Sequence, residues 1–304
     1  MKQRIYLPFA EGDRTLALGL KPLRIADWIE IDDQFTDYLQ RKTELLKTNH
    51  SEVFASLPNT EIAQQEVLDL LLEHLSQQFA ELYDRTSETI TVKATDQTWN
   101  IDQFEPLELA GRLVQEDFCL MQPSDRGYIL AAASLCFPLR WRLLKKLGNP
   151  MMQIHQPVPQ YSEQLGNPVD RLFDRLKVDR PVFRLNWSIV ETPELYLGHQ
   201  SHSSTESVEL TPDNLWIRVE RQTLRRLERS GWILFTIRTY RYPLMMLQDY
   251  PDCAIALSSI VQHLSPEMQL YKNLQPIRGM LLTALSQIIS TRSAPSRNNA
   301  AELL

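Results

Sequence analysis

Residues 215–244 read LWIRVERQTLRRLERSGWILFTIRTYRYPL, and the fold class turns on them. "LWIRVERQTL" and "GWILFTIRTYRY" are rich in β-branched and aromatic residues and read as two long strands. In the second, Ile233, Phe235 and Ile237 alternate with Leu234, Thr236 and Arg238, and Arg238 shares a face with Tyr240. In the first, Arg218, Glu220 and Gln222 share one face, and Val219 and Arg221 the other. Alternation alone leaves open whether the two arginine-bearing faces are the same side of a sheet.

Working outward, more strands appear before this pair. "ETITVKATDQTWNI" reads as a hairpin, "DFCLMQ" and "YILAAASLCF" as strands separated by the turn "PSDRG", and "VFRLNWSIV" as another strand. Helical spacing marks 27–46, 60–83, the segment "FEPLELAGRLVQED", the segment "LRWRLLKKL" ending at Gly148, and the second half of 162–177. In the second of these the apolar set is Ile62, Val67, Leu71, Leu75, Phe79 and Leu82. Helices close the chain near 243–264 and 276–290, followed by a polar, frayed tail. Strands do not alternate regularly with helices. The expectation is therefore an α+β fold with a mainly antiparallel sheet covered by helices.

The totals bound the function. The chain has 304 residues, 43% hydrophobic and 23% charged, with a net charge of −6; that is the composition of a globular protein with a sizeable core. No apolar run reaches roughly 18 residues and the N-terminus has no apolar signal region, so no membrane partner and a cytoplasmic location are expected. A nucleic-acid partner is not expected either: the one basic run, "RQTLRRLERSGW", is interrupted by Glu228 and preceded by Glu220. Cys119, Cys136 and Cys253 are far apart and form no CxxC, so they read as reduced thiols rather than as zinc or cluster ligands. No Gly-rich phosphate loop and no GxSxG elbow occurs. Glu105 and Glu108 read as a charged helix start.

One stretch carries unusual chemistry. His155 lies in "KKLGNPMMQIHQPVPQY", between Pro150 on one side and Pro157 and Pro159 on the other. A lone imidazole there reads either as a packed loop histidine or as a metal or heme ligand whose backbone the prolines restrict. Met151, Met152 and Ile154 would give a flat apolar macrocycle a surface to pack on. His199 and His202 form HxxH in a Ser-rich loop with no completing ligand. In the buried-looking strand, Arg238 requires a partner or a ligand carboxylate. Glu220 is a candidate partner or proton-handling acid.

These anchors together resemble one family. "CFPLRWRLLKKLGNPMMQIHQPVPQY" (136–161), "RLNW" (184–187), the R-V-E-R-Q-T-L run at 218–224 and the N-terminal "LPF…LGLKPL…WIEID" follow the order of landmarks in the alpha subunits of heme-dependent oxidative N-demethylases. The resemblance runs from about residue 5 to 290. It departs from the family pattern at Glu228, where the family carries a proline. It implies a PAS-like heme domain, expected over 89–250, with an N-terminal helical segment over 1–88, C-terminal helices over 251–291 and a tail over 292–304.

By resemblance, the activity is oxidative removal of a methyl group from a small amine such as dimethylamine, using O2. The cofactor is heme b. FMN, a 2Fe–2S centre and NADPH-derived electrons reach it through reductase or ferredoxin-type partner subunits. His155 becomes the leading iron ligand, with His199 and His202 as alternatives. Met152, Ile154, Arg218 and Arg221 are expected to hold the cofactor, and Glu220, Arg238 and Tyr240 to act on the bound substrate or oxygen. The competing reading is a heme PAS sensor or small-molecule binding protein without turnover. Such a sensor is normally joined to an output module, and none is expected in the closing helices and tail.

Overall fold

The computed structural model describes residues 2–11, 18–159, 167–198 and 211–293. In chain order the elements are β1 (Lys21–Pro22), α1 (Phe35–Thr48), α2 (His50–Val53), β2 (Phe54–Ser56), α3 (Glu61–Gln78), β3 (Tyr83–Arg85), β4 (Thr89–Val92), β5 (Gln97–Asn100), α4 (Pro106–Leu113), β6 (Asp117–Ser124), β7 (Gly127–Ser134), α5 (Met151–Ile154), α6 (Asn167–Arg175), β8 (Val182–Val190), β9 (Trp216–Arg226), β10 (Ile233–Pro243), α7 (Pro251–His263), α8 (Pro266–Tyr271) and α9 (Arg278–Ser293). Seven strands form one sheet in the order β1-β8-β9-β10-β6-β7-β2, and β3-β4-β5 form a second. Every pairing between these strands is antiparallel. The α+β expectation holds.

β9 and β10 form the spine. They pair without interruption from Ile233↔Arg226 to Pro243↔Trp216. The turn between them closes with Leu227 N–H donating to Trp232 O (2.9 Å) and with Gly231 at φ +72°, a conformation glycine adopts without a side-chain clash. Glu228 falls in this turn. The carboxylate of Glu66, from α3, accepts from the Arg229 and Ser230 amides at 2.7 and 2.9 Å, so helix and turn fix each other.

The register settles the question of faces. Residues opposite each other in an antiparallel pair point to the same side. Arg238 lies opposite Arg221, Tyr240 opposite Val219, and Arg241 opposite Arg218. Arg218, Glu220, Gln222 and Leu224 therefore share one face with Phe235 and Ile237. Arg221, Arg238 and Tyr240 lie on the other.

That second face is covered by helices. Ile217, Val219, Tyr240 and Tyr242 pack with α7 and α9, through Leu257, Val261, Leu281 and Leu285. Further along, Phe118, Leu120 and Leu234 pack with α1, α3, α4 and the small sheet. Each fully buried Leu or Val side chain contributes roughly 1.5–3 kcal/mol. The first face is covered differently: Leu224, Ile233 and Ile237 pack with Val169 and Phe173 of α6 and, at the margin, with Trp141, Met151 and Ile154.

Two local expectations are corrected. "LRWRLLKKL" does not form a helix; only Leu143–Lys145 makes a 3-10 turn. Leu139 instead bridges Leu197, and Arg140 donates its amide to Leu197 O at φ +58°, so the backbone is satisfied in an extended path. In α3, Ile62 is 73% exposed. The stripe that enters the core begins at Ala63 and runs through Val67, Leu71 and Leu75.

Candidate functional site

The less covered face of the central sheet carries the candidate site. Pro150 precedes α5, whose single turn ends at His155. His155 N–H and Nδ1 both lie within hydrogen-bond distance of Met151 O, at 3.0 and 3.1 Å. With Nδ1 engaged, the neutral ring presents Nε2 as its basic nitrogen. The side chain is only half-buried. Burial is nevertheless the largest cause of a pKa pushed down to about 4; the Met151 carbonyl opposes the shift, while Lys146 and Arg184 add to it. The ring is crowded by protein, with Lys146 and Arg184 among its neighbours, and this recess is the candidate site. The imidazole there is uncharged at neutral pH, the state a metal requires.

Arg184 comes from β8, opposite Gln222 of β9, and so faces the same side as Glu220. Asn186 lies opposite Glu220. The Glu220 carboxylate accepts from Gln222 Nε2 at 3.0 Å and Asn186 Nδ2 at 3.4 Å. Its other oxygen lies 3.9 Å from Arg218 Nε. Arg218 is buried, and its terminal nitrogens donate to Phe137 O and Leu195 O at 2.6 and 2.9 Å. Its guanidinium thus ties the sheet to the segment leading into the His155 loop. Burial lowers its pKa and the Glu220 charge partly restores it.

Tyr271 lies near Glu220 and Arg184, and sequence patterning did not single it out. It ends α8, and the next residue, Lys272, donates Nζ to Trp187 O at 3.0 Å and sits 4.3 Å from the centre of the Trp187 ring. This carries the chain around β8. Asn273 follows, and in the orientation that satisfies both groups its amide oxygen accepts from both terminal nitrogens of Arg140, at 3.1 and 3.0 Å. Tyr271 keeps 45% exposure, but protein crowds its hydroxyl and raises its pKa; Glu220 raises it further and Arg184 opposes. The signal was available only as a large aromatic left exposed beside an exposed Leu270.

Arg221, Arg238 and Tyr240 are not brought to this recess. They face the opposite side and hold the N-terminal segment. Glu30 accepts from Arg4 Nη1 (2.8 Å), Tyr6 Oη (2.7 Å) and the Tyr240 hydroxyl, with Arg221 Nε at 3.3 Å. Asp32 accepts from Arg238 Nη2 at 2.7 Å and Gln115 Nε2 at 2.9 Å. Burial works against the Arg238 charge, but Tyr38, Tyr240, Asp32 and Glu116 outweigh it and the net shift is upward. Beside this network a cavity of about 200 Å³ is lined by Asp27, Glu30, Asp32, Phe79 and Tyr240 among others. Ile154 packs at the edge of the recess core, and Met152 is 40% exposed. His199 and His202 lie outside the described residues. His50, left without a partner by spacing, has Nε2 2.8 Å from Glu108.

Among the described residues, no three His, Cys, Asp or Glu side chains gather to hold a metal ion. A heme asks less: one axial imidazole, an apolar wall and cations for its carboxylates. His155 supplies the imidazole, the partly buried Phe235, Met151 and Ile154 supply apolar surface, and Arg184 supplies a cation beside it, so the residues fit the group. No helix among the described residues is long and apolar enough to cross a membrane. The family model described as "Haem-dependent oxidative N-demethylase, alpha subunit-like" matches residues 19–282, from ahead of β1 into α9 and across both faces of the sheet. The chain belongs to the haem-dependent oxidative N-demethylase alpha-subunit-like family.

Proposed function

We propose that the chain is the heme-carrying component of an oxidative N-demethylase that uses O2 on a small methylated amine, with dimethylamine as the type. The observation that carries this reading is the His155 imidazole, kept uncharged by burial, on a turn whose Met151 and Ile154 pack at the margin of the sheet face that bears Arg184 and Glu220. The central five strands, taken as β7-β6-β10-β9-β8, run second-first-fifth-fourth-third in chain order, which supports the PAS-like reading. The heme is of b type, because the sequence has no CxxCH to bind it covalently.

In this reading His155 would hold the iron, and Met152 and Ile154 would pack against the cofactor. Arg184 would supply a cation for the cofactor's carboxylates, and Arg218 holds the sheet to the Phe137 and Leu195 carbonyls behind it. The heme, when bound, supplies the iron at which oxygen is reduced. Glu220, fixed by Gln222 and Asn186, holds the cationic amine, and the Tyr271 hydroxyl is the neighbouring proton donor. Arg221, Arg238 and Tyr240 hold the sheet to the N-terminal segment.

Electrons come from separate subunits carrying FMN and a 2Fe–2S centre and using NADPH. The three dispersed free cysteines support that division.

The test is the absorbance spectrum of heme-supplemented protein. A Soret band is expected, and His155→Ala is expected to shift or abolish it, with added imidazole restoring the original spectrum. No Soret band in the wild type, or an identical spectrum in His155→Ala, overturns the assignment.

A further inference from the structure

From Arg126 to Pro159 the chain carries Arg126, Arg140, Arg142, Lys145 and Lys146, and not one Asp or Glu, although the whole protein has a net charge of −6. Two of these cations bracket the His155 loop. Arg126 Nη2 donates to Gly148 O at 2.9 Å and Lys146 Nζ to Ile154 O at 2.7 Å, so one sits at each end of the turn that bears α5. Arg140 pairs with Glu191 at 3.0 Å. The other four make no ion pair with an acid among the described residues. Leu144 is 58% exposed in their midst, and Met152 40%.

Cations with no acid partner repel one another and raise the positive potential around them. Exposed Leu and Met beside a charged surround reproduce the make-up of a protein interface, with an apolar centre and a polar rim. A polyanion or an acidic protein would be steered here. What distinguishes the two is position: the patch lies against the residues that carry His155, where electrons must enter if iron is held there.

We propose that the surface formed by Leu144, Lys145, Lys146, Arg126 and the exposed edge of Met152 docks an acidic one-electron carrier protein next to His155. This rests on the heme reading for the partner's role, and on charge and exposure for its location.

The experiment titrates full-length protein, with and without heme, with an acidic plant-type 2Fe–2S ferredoxin as the probe, following binding by calorimetry. At low salt the wild type binds, and affinity falls about tenfold between roughly 20 and 200 mM salt, as expected for a screened charge interface. Leu144→Gln combined with Lys145→Glu weakens low-salt binding about tenfold while the Soret band and melting temperature stay unchanged. Arg85→Glu, an exposed reversal on the small sheet, is the control and changes affinity less than about twofold.

Equal weakening by both variants overturns the proposal. So does a heme-loaded protein that binds no ferredoxin, in which case the heme reading stands. Binding to phosphatidylserine vesicles that depends on Lys145, with no ferredoxin binding, also overturns it and assigns the face to a membrane surface. If the protein takes up no heme but binds ferredoxin with the expected pattern, the docking surface stands and the heme reading fails.

Discussion

Arg238 reaches across 206 residues of chain to Asp32: Nη2 lies 2.7 Å from Oδ2, and both side chains are buried. Removing one partner leaves the other as an uncompensated buried charge. Arg238→Met is therefore expected to lower stability by about 3–5 kcal/mol, measured by urea unfolding. Asp32→Leu combined with Arg238→Met is expected to recover part of that loss. Because Arg238 faces away from His155, the heme spectrum of the folded fraction should match the wild type.

Glu116 gives the protein a pH dependence with a definite sign. Its carboxyl is fully buried, Oε1 accepts from the Glu30 amide at 2.9 Å, and Oε2 has no hydrogen-bond partner. Burial pushes its pKa up from 4.5 to about 7, against the pull of Arg238. The folded state thus binds the proton more tightly than the unfolded chain. Stability should fall as pH rises from 4.5 to 7, by up to about 3 kcal/mol for a shift of this size. Glu116→Gln should remove this slope and melt higher than the wild type at pH 8, the two converging near pH 4.5. Melting temperatures that change through this window at the same rate in the two proteins would count against it.

Gly111 lets α4 pack tightly on β7. A Cβ placed there would lie 2.0 Å from Ser134 Oγ and 2.9 Å from Ser134 Cβ. Gly111→Ala is expected to cost about 1–3 kcal/mol through overpacking, read by thermal unfolding. Gly111→Ala with Ser134→Gly should restore most of it.

Glu220 and Tyr271 separate binding from folding. Glu220→Gln keeps its acceptor oxygen for Gln222 or Asn186, and Tyr271→Ala removes an exposed ring. Each should change stability by less than about 1 kcal/mol. Each should leave the Soret band in place and weaken dimethylammonium binding, followed as a perturbation of the heme spectrum. Wild-type amine binding in both variants would reduce Glu220 to a structural role beside Arg218.

The sequence made the strands legible because β9 and β10 alternate cleanly over eleven residues each. It could not say which faces coincide, since that depends on register, and register was set by a turn whose key partner, Glu66, lies in a distant helix. For the same reason Arg221, Arg238 and Tyr240 read as site residues: their acids, Glu30 and Asp32, are about 200 positions away. His155 stood out because prolines are local. Tyr271 did not, because only the clasp of Lys272 on β8 gives it a place. The helix expected over 139–147 failed because Leu197, not a neighbouring turn, satisfies that backbone.

The position of β10 also bears on synthesis. It lies between β9 and β6 at the centre of the sheet, yet it is the last of the seven strands to be made. About 120 residues separate the end of β6 from the end of β10, so at roughly 5–20 residues per second the nascent chain spends roughly 6–24 s with the β6 edge unpaired. An exposed strand edge is a template for a neighbour on the same polysome. The yield of folded protein should therefore depend on how quickly codons 125–243 are read and on chaperones that shield β6 and β7 until β10 arrives.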